Sequence, residues 1–183
     1  MLTANNNKTT ANKRNHPMSH IVLSDNERHY IGELFIPKIE VIAYSLANIN
    51  RFTGHVGHYS VAQHSVILSQ QVPEEFALDA LLHDATECYI GDVSAPLKAF
   101  LPDYQKLEDH YHGVIDGHFN IKTRHPVIKS ADMKMLITEA YSFGMPLQHF
   151  PQGIKPYEFA IMPNSTPEES YMDFMNRFIE LTQ

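Results

Sequence analysis

Three separated segments of the chain offer side chains of the kind that hold a divalent metal: Tyr59-Ser-Val-Ala-Gln-His64, Leu81-Leu-His83-Asp84-Ala-Thr-Glu87 and Ser130-Ala-Asp132. Imidazole and carboxylate together suit a borderline ion such as Zn²⁺, Mn²⁺, Co²⁺ or Fe²⁺. Such an ion acidifies water and polarises a phosphoryl oxygen, so the chemistry in view is hydrolysis. Taken singly, each residue has a bland reading. A lone His on an apolar helix face is most often a satisfied core histidine, and a His-Asp pair is common by chance. The joint pattern says more: apolar Leu81-Leu82 ahead of His83-Asp84, Glu87 one turn on, His64 upstream and Ala131-Asp132 downstream.

The elements that must bring these segments together read as helices. Pro37 fits a first helical turn, and Ile39, Ile42, Ala43, Leu46 and Ala47 recur at helical spacing up to Asn48–Asn50. Arg51-Phe-Thr-Gly54-His-Val-Gly57 is a loop by its glycines. A second helix is expected from Ser60 to Gln71, with Val61, His64, Ser65 and Leu68 on one face. Pro73 opens a third, running to Tyr89 and stopped by Gly91. That would place His83, Asp84 and Glu87 on one continuous helix, with His83 and Glu87 stacked. Ser94-Ala-Pro96-Leu-Lys98 starts a short segment, and long helices follow over 103–119 and 126–143. Residues 145–166 are Pro-rich loop, and Thr166-Pro167-Glu-Glu169 caps the last helix. Ahead of all this, Ile21–Leu23 and Tyr30–Ile31 flank Ser-Asp-Asn-Glu and read as a short hairpin. Residues 1–18 are Asn-, Thr- and Lys-rich and read as a flexible tail, leaving 19–183 as one domain. The expected fold is all-α: a helical bundle with a short N-terminal β-hairpin.

Composition narrows the setting. The chain has 183 residues, 43% of them hydrophobic, enough for a substantial core. Its 14 basic and 21 acidic residues give a net charge of −7, which argues against nucleic acid as a partner. One cysteine allows no disulfide within the chain and no thiolate cluster, in keeping with a reducing, cytoplasmic location. No apolar run is long enough for a membrane span, and the first residues carry no secretory signal pattern. Twelve histidines are many for this length, and most must do something other than bind metal.

The segments Ile49-Asn-Arg51-Phe-Thr-Gly54-His, Tyr59-Ser-Val-Ala-Gln-His64-Ser, Ala80-Leu-Leu-His83-Asp84, Glu87-Cys-Tyr-Ile-Gly91-Asp92, Ala95-Pro96-Leu-Lys98 and Ala131-Asp132…Thr138-Glu139-Ala140 resemble the HD-domain phosphohydrolases. Within that family residues 36–143 look like the YfbR-like 5'-deoxynucleotidases and, more closely, the phage dATP triphosphohydrolases. The resemblance implies an HD-domain helical bundle with His64, His83, Asp84 and Asp132 as metal ligands. It implies Glu87 as the acid/base partner, acting with Asp84 and Arg51 in catalysis. Arg51 would also clamp phosphate oxygens with its planar fork. It further implies a substrate site of Phe52 on the base, Gly54 and Pro96 bordering it, Asp92 on the sugar 3'-hydroxyl and Lys98 on distal phosphates.

Each of these keeps an ordinary alternative: Arg51 and Lys98 as solvated charges, Phe52 and Cys88 as core, Asp92 as a helix cap, His55 and His58 as exposed loop residues. The function expected from the resemblance is a metal-dependent deoxynucleoside triphosphate triphosphohydrolase. It would take dATP to deoxyadenosine and triphosphate, serving phage nucleotide-pool control. A 5'-deoxynucleotidase acting on deoxynucleoside monophosphates is the alternative, and a non-catalytic nucleotide-binding scaffold a further one. A cyclic-dinucleotide phosphodiesterase would carry a Gly-Tyr-Pro motif that the chain lacks. The expected cofactor is one divalent ion (Zn²⁺, Co²⁺ or Mn²⁺), with Mg²⁺ a candidate second ion. The partners expected are a deoxynucleotide, no nucleic acid, no membrane, and further copies of the chain as a dimer or hexamer.

Overall fold

The computed structural model describes residues 19–164 and 166–183. The tail expected over 1–18 lies outside the described residues. Strands β1 (His20–Val22) and β2 (Arg28–Tyr30) pair antiparallel, with Ile21 opposite His29. Asn26 closes their turn at φ 67°, a left-handed conformation that Asn tolerates.

Eight α-helices follow among the described residues: α1 (Ile39–Asn48), α2 (Val61–Ser69), α3 (Ala77–Leu81), α4 (Glu87–Ile90), α5 (Ala95–Lys98), α6 (Pro102–Phe119), α7 (Pro126–Ser142) and α8 (Pro167–Thr182). One-turn 3₁₀ segments sit at Arg51–Gly54, Glu74–Phe76 and Leu147–His149. The expected mostly helical bundle with an N-terminal hairpin is what the chain forms. The long helices start where local chemistry favours it. Pro stands in the first turn of α6, α7 and α8, where its missing N–H has no intrahelical partner to lose. Ser60 Oγ accepts the Gln63 amide at 3.1 Å ahead of α2, and Thr166 Oγ1 accepts the Glu169 amide at 3.2 Å ahead of α8.

Two clusters of buried side chains hold the helices together. In the larger, Val41, Ile42 and Leu46 of α1 meet Val61 and Ala62 of α2, Leu81, Tyr111 and Ile115 of α6, and Phe174 of α8. In the smaller, Tyr59 and Leu68 meet Ala80 and the α7 residues Ile128, Ala131 and Met135. α8 lies across α1, α2 and α3, with Phe174 fully buried beneath it. Burial of that ring contributes about 1.5–3 kcal/mol. No helix among the described residues is long and apolar enough to cross a membrane.

The structure corrects one expected element. Residues 73–89 are not one helix: a 3₁₀ turn leads into α3, which stops at Leu81, and α4 begins only at Glu87. Between them the backbone tightens to i→i−3 hydrogen bonds, His83 to Ala80, Ala85 to Leu82 and Glu87 to Asp84. The His83 side chain takes part, because its Nδ1 bonds the Ala80 carbonyl at 2.8 Å. Pro37 also stands outside α1, whose N-cap is Lys38.

Candidate metal centre

The broken helix lets two adjacent side chains serve one point. On a regular α-helix His83 and Asp84 would diverge by about 100°. In the tightened turn His83 Nε2 lies 3.2 Å from Asp84 Oδ2. α2 brings His64 to the same place, its Nε2 3.3 Å from His83 Nε2 and 3.9 Å from Asp84 Oδ2. α7 supplies Asp132, whose Oδ1 is 3.2 Å from His64 Nε2 and 3.9 Å from His83 Nε2. Ligands around an ion with bonds near 2.1 Å stand roughly 3.4 Å apart in a tetrahedron; the separations among His64, His83 and Asp132, and from Asp84 to the two imidazoles, bracket that value.

The donors fit a dication chemically as well. A carbonyl only accepts, so His83 carries its proton on Nδ1 toward Ala80 and presents the Nε2 lone pair to the cluster. His64 Nδ1 lies 2.5 Å from Glu139 Oε1 in the matching arrangement. Asp84, Asp132 and Glu139 set three carboxylates against the one guanidinium of Arg51, a surplus of two negative charges.

That surplus shows in the proton equilibria. Burial and Arg51 push His64 down, but Glu139 and Asp132 outweigh them and raise it to about 9. Burial would raise Asp84, yet His83, His64 and Arg51 hold it well below the usual carboxylate range. Asp132 is likewise lowered, through His64, His83 and Arg51 against burial. Glu87 goes the other way. Burial, then Asp84 and Asp92, push it well above the usual range, and its Oε2 is buried with no hydrogen-bond partner among the described residues.

Arg51 stands at the edge of the cluster. Its Nε and Nη2 donate to Glu139 Oε2 at 3.2 and 3.0 Å, and its Nη1 lies 3.6 Å from Asp84 Oδ2. The next two residues, Phe52 and Thr53, both take φ 53°, and Gly54 follows at φ 78°. The Phe52 ring is half-buried, 5.9 Å from the Arg51 guanidinium carbon and edge-on to Phe143 at 6.4 Å. Gly54 is exposed on the same turn.

The remaining expected site residues lie farther from the ligands or are otherwise engaged. Asp92 is exposed, yet close enough to feel the charges of Arg51, Asp84, Lys98 and His64. Lys98 acts on Glu87 and Asp92, but its Nζ is 2.5 Å from Glu108 Oε1, so its charge is already paired. Pro96 is exposed in the first turn of α5. His55 is exposed, while His58 Nδ1 is bonded to the Asn50 side chain at 3.0 Å. Cys88 is buried, its thiol pushed up to about 12 by burial, as an inert core residue.

Two buried residues of this network, Glu139 and Tyr59, had no role in the sequence reading. Glu139 is fully buried and bonds Arg51, His64 and the Tyr59 hydroxyl, the last at 2.9 Å. Its signal was its place seven residues after Asp132, two helical turns along one face.

No family model matches the chain. It is 45% identical over 154 residues to the uncharacterized protein YfdR of Escherichia coli K12, covering 79% of this chain and 84% of that one. An uncharacterized protein of Rhodobacter capsulatus is 32% identical over 114 residues, 56% of each chain. The 5'-deoxynucleotidase PBPRA2627 of Photobacterium profundum is 28% identical over 129 residues, 59% of this chain and 66% of that one. The chain belongs to the family of YfdR, and its likeness to a 5'-deoxynucleotidase, with His64, His83 and Asp132 clustered as metal ligands can be and Asp84 beside His83, supports the HD-domain phosphohydrolases as the wider family.

Proposed function

We propose that the chain is a divalent-metal-dependent phosphohydrolase that removes the phosphate from deoxynucleoside 5'-monophosphates. The observation that carries this reading is the convergence of two imidazoles and two aspartates beside a half-buried arginine and a buried glutamic acid. Similarity to the Photobacterium 5'-deoxynucleotidase supports the substrate class.

When bound, a divalent cation at His64, His83, Asp84 and Asp132 supplies Lewis-acid chemistry, acidifying water and polarising a phosphoryl oxygen. Arg51 spends Nε and one Nη2 hydrogen on Glu139, and its other Nη2 hydrogen and the Nη1 group, 3.6 Å from Asp84 Oδ2, are left to hold a phosphate oxygen. Glu87, whose carboxyl is pushed well above its usual range by burial, Asp84 and Asp92, is suited to deliver a proton to the leaving 5'-oxygen. Asp92 at the rim would meet the sugar 3'-hydroxyl, and Phe52 the base.

The second reading is the dATP triphosphohydrolase. A triphosphate needs cations beyond Arg51, and the nearest candidate, Lys98, would have to leave Glu108. That pairing is why the monophosphate comes first. Purified protein loaded with Co²⁺ and offered a panel of deoxynucleoside mono- and triphosphates separates the readings. Inorganic phosphate released from the monophosphates supports the proposal. Triphosphate released from dATP, with the monophosphates untouched, reverses the order. No hydrolysis of either leaves a nucleotide-binding scaffold.

A further inference from the structure

Behind the ligands, one carboxylate joins the residue that faces the cation to the residue that faces the phosphate. We propose that Glu139 is a positioning residue for both, holding the His64 ring on the metal side and the Arg51 fork on the anion side. The Arg51 half rests on the phosphohydrolase reading; the His64 half needs only that a metal binds.

The geometry leaves Glu139 no spare capacity. Oε1 faces His64 Nδ1 at 2.5 Å and the Tyr59 hydroxyl at 2.9 Å. Oε2 takes Arg51 Nε at 3.2 Å and Nη2 at 3.0 Å. Four donors saturate a carboxylate, which accepts at both oxygens and donates nothing. All three of these side chains, Arg51, Tyr59 and His64, come from one short stretch. The Arg51 amide donates to the Tyr59 carbonyl and the Val61 amide to the Ile49 carbonyl, both at 2.9 Å, about the Asn50–Ser60 bridge. This small ladder sends Arg51 and Tyr59 toward α7, and α2 begins at its end and carries His64 alongside. The stretch from Asn50 to His64 is therefore registered against α7 by Glu139, while Asp132 on the same helix meets the other face of His64.

A carboxylate behind a ligating imidazole fixes its tautomer and makes the ligand more basic. The same carboxylate engages two of the guanidinium nitrogens in a planar pair, leaving Nη1 as the outward edge toward Asp84. An amide cannot replace it. Glutamine has one acceptor oxygen and an NH₂ that would face a donor in either orientation.

The test uses the full chain and Co²⁺ as the probe. Glu139→Gln should weaken Co²⁺ binding by about 10- to 100-fold and alter the visible d–d absorption of the bound ion. Tyr59→Phe, which removes one donor and no charge, should stay within about threefold of the wild type. At saturating Co²⁺, Glu139→Gln should also raise KM for a deoxynucleoside monophosphate by about tenfold as Arg51 loses its support. A folded Glu139→Gln with wild-type Co²⁺ affinity and spectrum overturns the His64 half, and an unchanged KM overturns the Arg51 half. Should that variant fail to fold, ¹⁵N-histidine NMR of the Zn²⁺-loaded wild type decides the His64 half. A proton held on His64 Nδ1 supports it, and a proton on Nε2 overturns it. If the wild type hydrolyses no deoxynucleotide, the functional reading falls while the Co²⁺ and NMR arms still judge Glu139.

Discussion

Asp132 and Glu139 approach opposite nitrogens of one imidazole: Asp132 Oδ1 is 3.2 Å from His64 Nε2, and Glu139 Oε1 is 2.5 Å from its Nδ1. Both carboxylates stand on α7, two turns apart, so a single helix sets both the ligand distance and the ring's orientation. A small rotation of α7 would spoil the two together, and α7 is pinned by Ile128, Ala131 and Met135 in the smaller core cluster.

Metal should therefore stabilise the fold. A cation present at 100 times its dissociation constant adds about 2.7 kcal/mol to the folded state. For a chain of this length that corresponds to a melting temperature roughly 5–10 °C higher. Thermal melts with EDTA and with added Co²⁺ measure it. Asp132→Asn should abolish the difference, and a wild-type melt indifferent to the ion would count against the site.

Glu87→Gln keeps the shape of the side chain and removes its proton chemistry. Loss of a general acid lowers turnover by about 10²- to 10⁴-fold. Co²⁺ affinity should stay near the wild-type value, because Glu87 lies outside the cluster formed by His64, His83 and Asp132. Steady-state kinetics beside metal titration separates the two, and full activity in the variant would remove Glu87 from the chemistry.

Lys98 and Glu108 offer a substrate test. Lys98→Ala should leave monophosphate hydrolysis within about twofold, since the lysine is held on Glu108 and not on the substrate. Glu108→Gln frees the ammonium group and should raise activity on dATP relative to dAMP. A large loss of monophosphate activity in Lys98→Ala would show that the lysine leaves Glu108 to bind substrate.

Two buried histidines away from the metal centre make the fold sensitive to acid. His112 bonds Thr123 Oγ1 at 2.9 Å, and His29 bonds the Tyr111 hydroxyl at 2.5 Å. Burial lowers both from the ordinary 6.5, with Arg124 adding to the effect at His112. The unfolded chain then takes up protons before the folded one does, so their contribution is full above 6.5 and is lost as pH falls through the lowered values. Melting temperatures at pH 6.5, 6.0 and 5.5, below the range in which the raised His64 takes up its proton, should decline in that order, and His112→Gln should flatten the slope. A melt that rises on acidification would contradict the assignment.

Local rules fixed some features and tertiary contacts fixed others. α6, α7 and α8 were legible because Pro, Thr166 and apolar periodicity act within a few residues. The break between α3 and α4 was not, because Leu78, Ala80, Leu81 and Ala85 keep helical spacing straight through it. At the break the His83 side chain bonds the Ala80 carbonyl, a contact the apolar periodicity does not reveal. His64, His83, Asp84 and Asp132 were legible as ligand types, and the fold brings them together. Glu139 was not: a glutamate inside a helix reads as a solvated surface charge. Its burial depends on Arg51, Tyr59 and His64, which lie 75–88 residues away. Lys98 read as free because Glu108 comes opposite it only once α5 folds back on α6.

The turn after Arg51 has a consequence for how still that arginine is kept. Glycine would adopt the Thr53 conformation with less difficulty, since a β-branched residue resists positive φ. It would also bring many other conformations with it. A threonine forced into this well has few others to visit, and Phe52 before it is similarly confined. The chain thus flanks Arg51 with residues that are hard to seat and hard to unseat. Thr53→Gly should leave the folded geometry intact yet blur the guanidinium's aim, appearing as weaker phosphate capture in a protein no less stable.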